Sequence, residues 1–235
     1  MYKRVLLKIS GEQLSGKHEF GIDPAVIRYF AREVQKVLRA GCQLVLVVGG
    51  GNVVRGAQLA GKTGIKRVTA DQMGMLSGLM NAVAVTDIFE SEGVSTRCVT
   101  NIFADQVAEP YSFRSAESHL GAGRVLVIAG GIGRPFFTHD TAAVSMALEL
   151  SCELVLKATK VDGVYDKDPM LHTDAVRFEK LSYPEAVRND AIKVMDKAAL
   201  GLAMEQNMPV IVLDALKADN ILKATKGEPV GTFIA

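Results

Sequence analysis

The chain has no tryptophan, only three cysteines and four histidines, and no long uninterrupted apolar run in its 235 residues. Each scarcity removes a class of protein. Cys42, Cys98 and Cys152 lie far apart and form no C-x-x-C, which argues against a disulfide framework or a thiolate metal knuckle and makes a reducing cytoplasm the expected compartment. His18, His119, His139 and His172 show neither metal-ligand spacing nor a Ser-His-Asp context. The 27 Lys and Arg against 26 Asp and Glu give a formal net charge of +1, which argues against wholesale binding of nucleic acid or an anionic membrane. Affinity for phosphate must come from local placement of charge. The opening stretch Met1–Lys8 is too short and too interrupted to read as a signal peptide or a membrane span.

What is present is glycine at strand ends. Short apolar runs recur at Val5–Ile9, Leu44–Val48, Val94–Val99, Val125–Ala129, Leu154–Leu156 and Val210–Leu213, and their continuity predicts strands buried on both faces of a mostly parallel sheet. Asp23-Pro24 marks a helix start for Ala25–Arg39, and further helices are predicted from about Asp71 to Glu92 and from about Asp140 to Leu150. The expected fold is α/β, a three-layer sandwich with helices on both faces of the sheet. The turn-rich stretch after Lys157 places a lobe boundary near Ala158 within one domain spanning residues 1–235, with lobes of about 1–157 and 158–235.

Two glycine turns follow strands, at Gly49-Gly50-Gly51-Asn52 and at Gly130-Gly131-Ile132-Gly133-Arg134. Such turns let backbone N–H groups approach an anion, and Thr138, Thr141 and Arg134 add donors to the second. Lys8 and Lys157 both stand at carboxyl ends of strands, where open parallel sheets place their ligands; together they fit a charge clamp on a moving phosphoryl group. Asp140 reads either as a helix N-cap or as a site residue. Gly56-Ala-Gln-Leu-Ala-Gly-Lys-Thr63 matches the Walker A pattern literally, but a weak preceding strand and the helix-breaking Gly64 argue against a P-loop. The Asp166-Lys167-Asp168-Pro169 turn lacks the glycine and distal glutamate of a calcium loop and reads as a nucleotide-contacting turn beside Tyr165.

Together these residues resemble the bacterial uridylate kinases of the amino-acid kinase superfamily from about Tyr2 to Ile234. The resemblance rests on Lys8–Gly11, Gly49–Gly56, Asp71–Met75, Pro135–Ala143, Lys157–Tyr165, Asp168-Pro169 and Lys193–Asp196, all in the family's order. It implies an enzyme that transfers the γ-phosphoryl of ATP to UMP, giving UDP in pyrimidine (CTP) biosynthesis, with Mg2+ carried mainly by ATP. It places ATP at Lys8, Ile9, Ser10, Gly11, Gly51, Arg55, Thr159, Tyr165 and Asp168, and UMP at Gly50, Asp71 and the loop Ile132, Gly133, Arg134, Pro135, Phe136, Phe137, Thr138 and His139. Lys8, Lys157, Asp140 and Asp196 are the implied catalytic group, with Asp196 orienting the lysines. Asp71 reads as a ribose acceptor or, equally, as a helix cap.

The family further implies a homohexamer, activation by GTP and inhibition by UTP, with Ser15–Ile22 as an effector-linked loop. The apolar residues Met73, Met75, Leu76, Leu79 and Met80 fit core better than interface. Three positions depart from the family: Ile132 and Arg134 replace its common Thr and Asn, and His139 replaces Thr or Ser. Arg134 is expected to add a phosphate contact, and His139 to make acceptor binding pH-sensitive. Acetylglutamate, aspartate and carbamate kinases share the glycine turns, and oxyanion storage is the non-enzymatic alternative.

Overall fold

Six-residue runs such as Arg4-Val-Leu-Leu-Lys-Ile9 have β-branched or leucine side chains at nearly every position, so they are stable only where both faces are covered. In the computed structural model, which describes residues 1–54, 64–189, 192 and 194–235, they form the centre of one sheet. The elements are β1 (Arg4–Ile9), α1 (Gly11–Leu14), α2 (Pro24–Arg39), β2 (Gln43–Val48), α3 (Arg67–Ser91), β3 (Thr96–Thr100), β4 (Glu109–Pro110), α4 (Phe113–Gly121) and β5 (Val125–Ala129). They continue with α5 (His139–Glu149), β6 (Leu154–Thr159), β7 (Lys180–Leu181), α6 (Tyr183–Arg188), α7 (Lys197–Glu205), β8 (Val210–Asp214), α8 (Asn220–Lys226) and β9 (Thr232–Ile234).

Among the described residues the sheet has nine strands in the order β4-β3-β5-β2-β1-β6-β8-β9-β7. Only the β8–β9 pairing is antiparallel. Side chains alternate across a strand, so Val5, Leu7 and Ile9 of β1 enter the core beneath α2 and α3, while Leu6 joins the core beneath α5 and α7. Lys8 shares the face of Leu6. In β6 the same alternation puts Leu154, Leu156 and Ala158 in the first core and Val155 in the second, so Lys157 also faces α5. The expected three layers are therefore present, and they fix which side of the sheet carries the two lysines.

The strands and helices read from apolar runs are all found, β5 with the expected bounds and the others with shifted ends. Asp23 caps α2 by accepting from the Ala25 N–H at 2.9 Å, with Pro24 following it. Helix α3 begins at Arg67, not at Asp71, so Asp71 lies in its second turn and is not its cap. The boundary expected near Ala158 falls inside β6, whose hydrogen-bonded pairing with β8 runs from Val155 to Thr159. Arg55, the Walker-like segment from Gly56 to Thr63 including Lys62, and Lys193 lie outside the described residues.

Candidate active site

The parallel register of β1 and β6 sets Lys8 directly opposite Lys157. Two ammonium groups held side by side repel each other, and the charge that makes the arrangement tenable is Asp140 from the first turn of α5. Its Oδ1 lies 2.8 Å from Lys8 Nζ and its Oδ2 2.7 Å from Lys157 Nζ. All three side chains are largely buried, at 11–14% exposure. Lys157 also donates to the Val194 carbonyl.

Burial acts against the Asp140 charge, but the paired Lys8 and Lys157 overcome it and hold the carboxyl down at about 2. The same burial lowers Lys157 from the ordinary lysine value, with Asp140 opposing the shift. A cluster of two cations and one anion carries net positive charge in a poorly solvated place. Such a cluster is chemically suited to an anion.

Helix α5 is aimed at this cluster by its own N-terminus. Its cap is Thr138, whose Oγ1 accepts from the Asp140 N–H at 3.0 Å, so Asp140 is not the cap. The Thr138 hydroxyl donates to Asp196 Oδ2 at 2.5 Å, and the Thr141 hydroxyl lies 3.0 Å from each Asp196 oxygen. Asp196 in turn caps α7 by accepting from the Ala199 N–H at 2.9 Å. The direct orienting partner of both lysines is thus Asp140. Asp196 ties the N-termini of α5 and α7 together one contact further out. A cavity of about 360 Å³ opens between these helices, lined by Asp140, Lys157, Val194, Met195, Asp196 and Leu200. A larger one of about 600 Å³ lies at the outer strands against Tyr2, Pro229 and Phe233, away from the lysines.

The two glycine turns reach the same end of the sheet. A Cβ on Gly50 would stand 2.6 Å from the Gly74 carbonyl and 2.7 Å from the Gly78 nitrogen, so the turn after β2 packs on α3 as only glycine allows. Ser77 donates to the Gly50 carbonyl at 2.6 Å, and Asn81 to that of Gly49 at 2.7 Å. Asn52 and Asn81 exchange hydrogen bonds at 2.6 and 3.0 Å, both fully buried. This polar clamp has no signal in the sequence, because two asparagines 29 positions apart carry no spacing rule. On the other side, Gln13 accepts from the Ser10 N–H at 3.3 Å and donates to the Thr159 carbonyl at 3.1 Å, joining the ends of β1 and β6.

In the loop 132–139, Asp71 Oδ2 accepts from the Phe136 N–H at 2.9 Å, which links α3 to the loop. Arg134 is exposed and has no polar partner among the described residues. His139 is packed so tightly that a Cβ on Gly78 would lie 2.8 Å from its Nε2, an atom left without a hydrogen-bond partner. Burial, and then Lys8, push its imidazole down to about 4. It is therefore neutral at ordinary pH, and the expected pH-sensitivity of acceptor binding near neutrality does not follow from it.

Tyr165 and Asp168 sit in the turn-rich stretch beyond β6. Tyr165 Oη donates to Asp162 at 2.5 Å, and Asp168 accepts from the Met170 N–H at 2.9 Å. Neither touches the lysine cluster. Among the described residues no group of three or more His, Cys, Asp or Glu is arranged to hold a metal ion.

This geometry has close counterparts. The model of the amino acid kinase family matches residues 3–214. The chain belongs to that family. It is 36% identical to a UMP kinase from Bacillus anthracis over 99% of this chain and 96% of that one, with a TM-score of 0.93. A UMP kinase from Ureaplasma parvum matches at 28% identity and TM-score 0.91 over 100% and 99% of the two chains. The uridylate kinase of Archaeoglobus fulgidus matches at 29% and 0.76, over 98% and 99%. The resemblance read from motifs thus extends to the whole architecture.

Proposed function

We propose that this chain is a UMP kinase catalysing ATP + UMP → ADP + UDP. The observation that carries the reading is the Lys8–Asp140–Lys157 cluster in the carboxyl halves of adjacent central strands, where β6 runs two residues past Lys157, in a chain that aligns end to end with UMP kinases. A phosphate oxygen of UMP attacks the γ-phosphorus in line, the bond from that phosphorus to the bridging oxygen breaks, and ADP leaves with the electron pair. A phosphate monoester already has its second proton largely removed near neutral pH, so no general base is required. Lys8 and Lys157 stabilise charge on the moving phosphoryl group, and Asp140 keeps both ammonium groups converged on it.

ATP lies along Lys8–Gly11, Gly51, Thr159, Tyr165 and Asp168, and UMP along Gly50, Asp71 and Ile132–His139. The two lobes, divided near residue 158, share one sheet. Magnesium, when carried by the triphosphate, would supply charge neutralisation to the transferring group. Both Asp140 oxygens are taken by lysines, so the described residues suit a metal held by the triphosphate itself. No helix among the described residues is long and apolar enough to cross a membrane, and a cytoplasmic enzyme of pyrimidine synthesis is the reading proposed.

Assembly as a homohexamer is supported by α3. Met75 and Leu79 enter the core, while Leu76 and Met80 stand 53% and 56% exposed. Regulation by GTP and UTP finds support in the Ser15–Ile22 loop, whose Gly21 carbonyl accepts from Asn52 at 2.7 Å beside the glycine turn. The test is ATP-dependent ADP formation with UMP, CMP, dUMP, acetylglutamate or carbamate, with and without GTP. Turnover led by UMP is expected. Turnover led by acetylglutamate or carbamate removes the UMP reading, and silence with every acceptor favours oxyanion storage.

A further inference from the structure

We propose that Arg67 sets the enzyme's discrimination for the acceptor's sugar hydroxyl, as a positioning residue acting through Asp71; this rests on the UMP reading above. Asp71 has a side chain only 13% exposed, and both its oxygens face Arg67 Nε, at 2.8 and 2.9 Å. Its Oδ2 accepts a second bond, from the Phe136 N–H at 2.9 Å. An ionised carboxylate offers roughly four lone-pair positions. Among the described residues two donors engage it, the single Arg67 Nε–H shared between both oxygens and the Phe136 N–H on Oδ2, so acceptor capacity remains, most openly on Oδ1. A carboxylate held in that state accepts a sugar hydroxyl in a fixed direction.

Arg67 is the shared member of this assembly. Lying one helical turn before Asp71, it fixes the carboxylate's rotation, and its guanidinium also stacks 5.6 Å above the Phe136 ring. Phe136 has φ of 70°, a left-handed conformation that a bulky residue adopts only when its surroundings hold it there. The bond to Asp71 and the stack on Arg67 are the two holds that reach it from α3. Removing the guanidinium therefore frees the carboxylate to rotate and releases the loop residue that closes over it. The acceptor still meets a carboxylate, but no longer one that is held in one direction.

The experiment measures Kd by calorimetry and kcat/KM by ADP formation for UMP, 2′-deoxy-UMP and 3′-deoxy-UMP, on the wild type and on Arg67→Ala, Arg67→Gln and Arg67→Lys. The wild type is expected to discriminate against one deoxy analogue, and Arg67→Ala to reduce that ratio about tenfold, as loss of one charge-assisted hydrogen bond would. The loss is carried by KM and Kd more than by kcat. Arg67→Lys, which keeps charge without the planar fork, recovers part of the ratio. An equal loss of affinity for UMP and its analogues makes Arg67 merely structural and overturns the inference, as does a wild type that binds all three alike. If Arg67→Ala fails to fold, an unchanged ratio in Arg67→Gln has the same meaning. UMP binding without turnover sinks the kinase reading alone, leaving the Kd ratios to judge Arg67; absence of UMP binding sinks both.

Discussion

At the ends of β1 and β6 each charge meets a partner inside the protein, whereas the 132–137 loop presents Arg134 with no partner among the described residues, and Phe136 and Phe137 at 65% and 49% exposure. Both regions are expected to handle phosphate. The difference separates two tasks. Charge that must be in place when a bond breaks is set beforehand and locked by burial, so it needs little reorganisation during the reaction. On the proposed function, the exposed face of the 132–137 loop is left open for the acceptor to complete, while Asp71 behind it is already held by Arg67 and the Phe136 N–H.

The sharpest way to break this contrast is to unlock the buried side. Removing the Asp140 carboxylate leaves Lys8 and Lys157 facing each other without compensation, and loss of one partner from a buried ion cluster typically costs about 3–5 kcal/mol. Asp140→Ala should therefore lower the urea midpoint steeply, while Lys157→Ala should lower kcat by about 10²–10³ with a smaller change in the KM for UMP. A Lys157→Ala enzyme that keeps its kcat within about tenfold would take that lysine out of the transition state.

The reach of the sequence differs between these regions for the same physical reason. Lys8 and Lys157 were legible because lysine directly after buried apolar residues, beside a turn, has few structural uses. Their side-by-side placement was not, since it depends on the β1–β6 register, which no local pattern encodes. The core strands and α2 were legible from burial on both faces and from an Asp-Pro start. The short strands β4 and β7, of two residues each, carry too little pattern to detect. Asp140 and Asp71 were ambiguous between cap and site because an aspartate near a helix start serves either purpose. The structure moves both off the cap position by lengthening α3 toward its N-terminus and giving the α5 cap to Thr138.

A pH titration probes the boundary between the regions, where His139 Nε2 lies against Gly78 and its imidazole feels the charges of Lys8 and Asp140. Its value falls from 6.5 to about 4 on folding. Between those two values the unfolded chain binds a proton that the folded chain does not, so stability is lost as pH falls from 6.5 toward 4. Asp140 behaves in a lower window. Its stabilisation is present above 3.8 and disappears as pH falls through about 2. Replacing His139 with Thr should thus flatten the melting temperature between pH 6.5 and 4 relative to the wild type. Equal slopes for the two proteins would mean that the imidazole is solvated and free to ionise. With the imidazole lowered to about 4, the UMP Kd of the wild type should show no His139 titration above pH 6.5, whereas a solvated imidazole would titrate there.

The smallest effect is expected at the open side. Arg134 is exposed, and its guanidinium has no protein partner to lose among the described residues, so Arg134→Asn should leave the melting temperature unchanged. Its contribution appears only when a phosphate arrives, as a charge-assisted contact in a solvent-accessible place, where about 0.2–1 kcal/mol is typical of exposed ion pairs. The KM for UMP should rise by no more than about fivefold, with kcat held and the rise fading at high salt. A rise much larger than this would mean that the loop closes over the acceptor and shields Arg134 from water, making the open side as preorganised in the complex as the buried lysines are without it. An unchanged KM at low salt would instead remove Arg134 from the acceptor site and leave the backbone N–H groups of the loop to bind the phosphate.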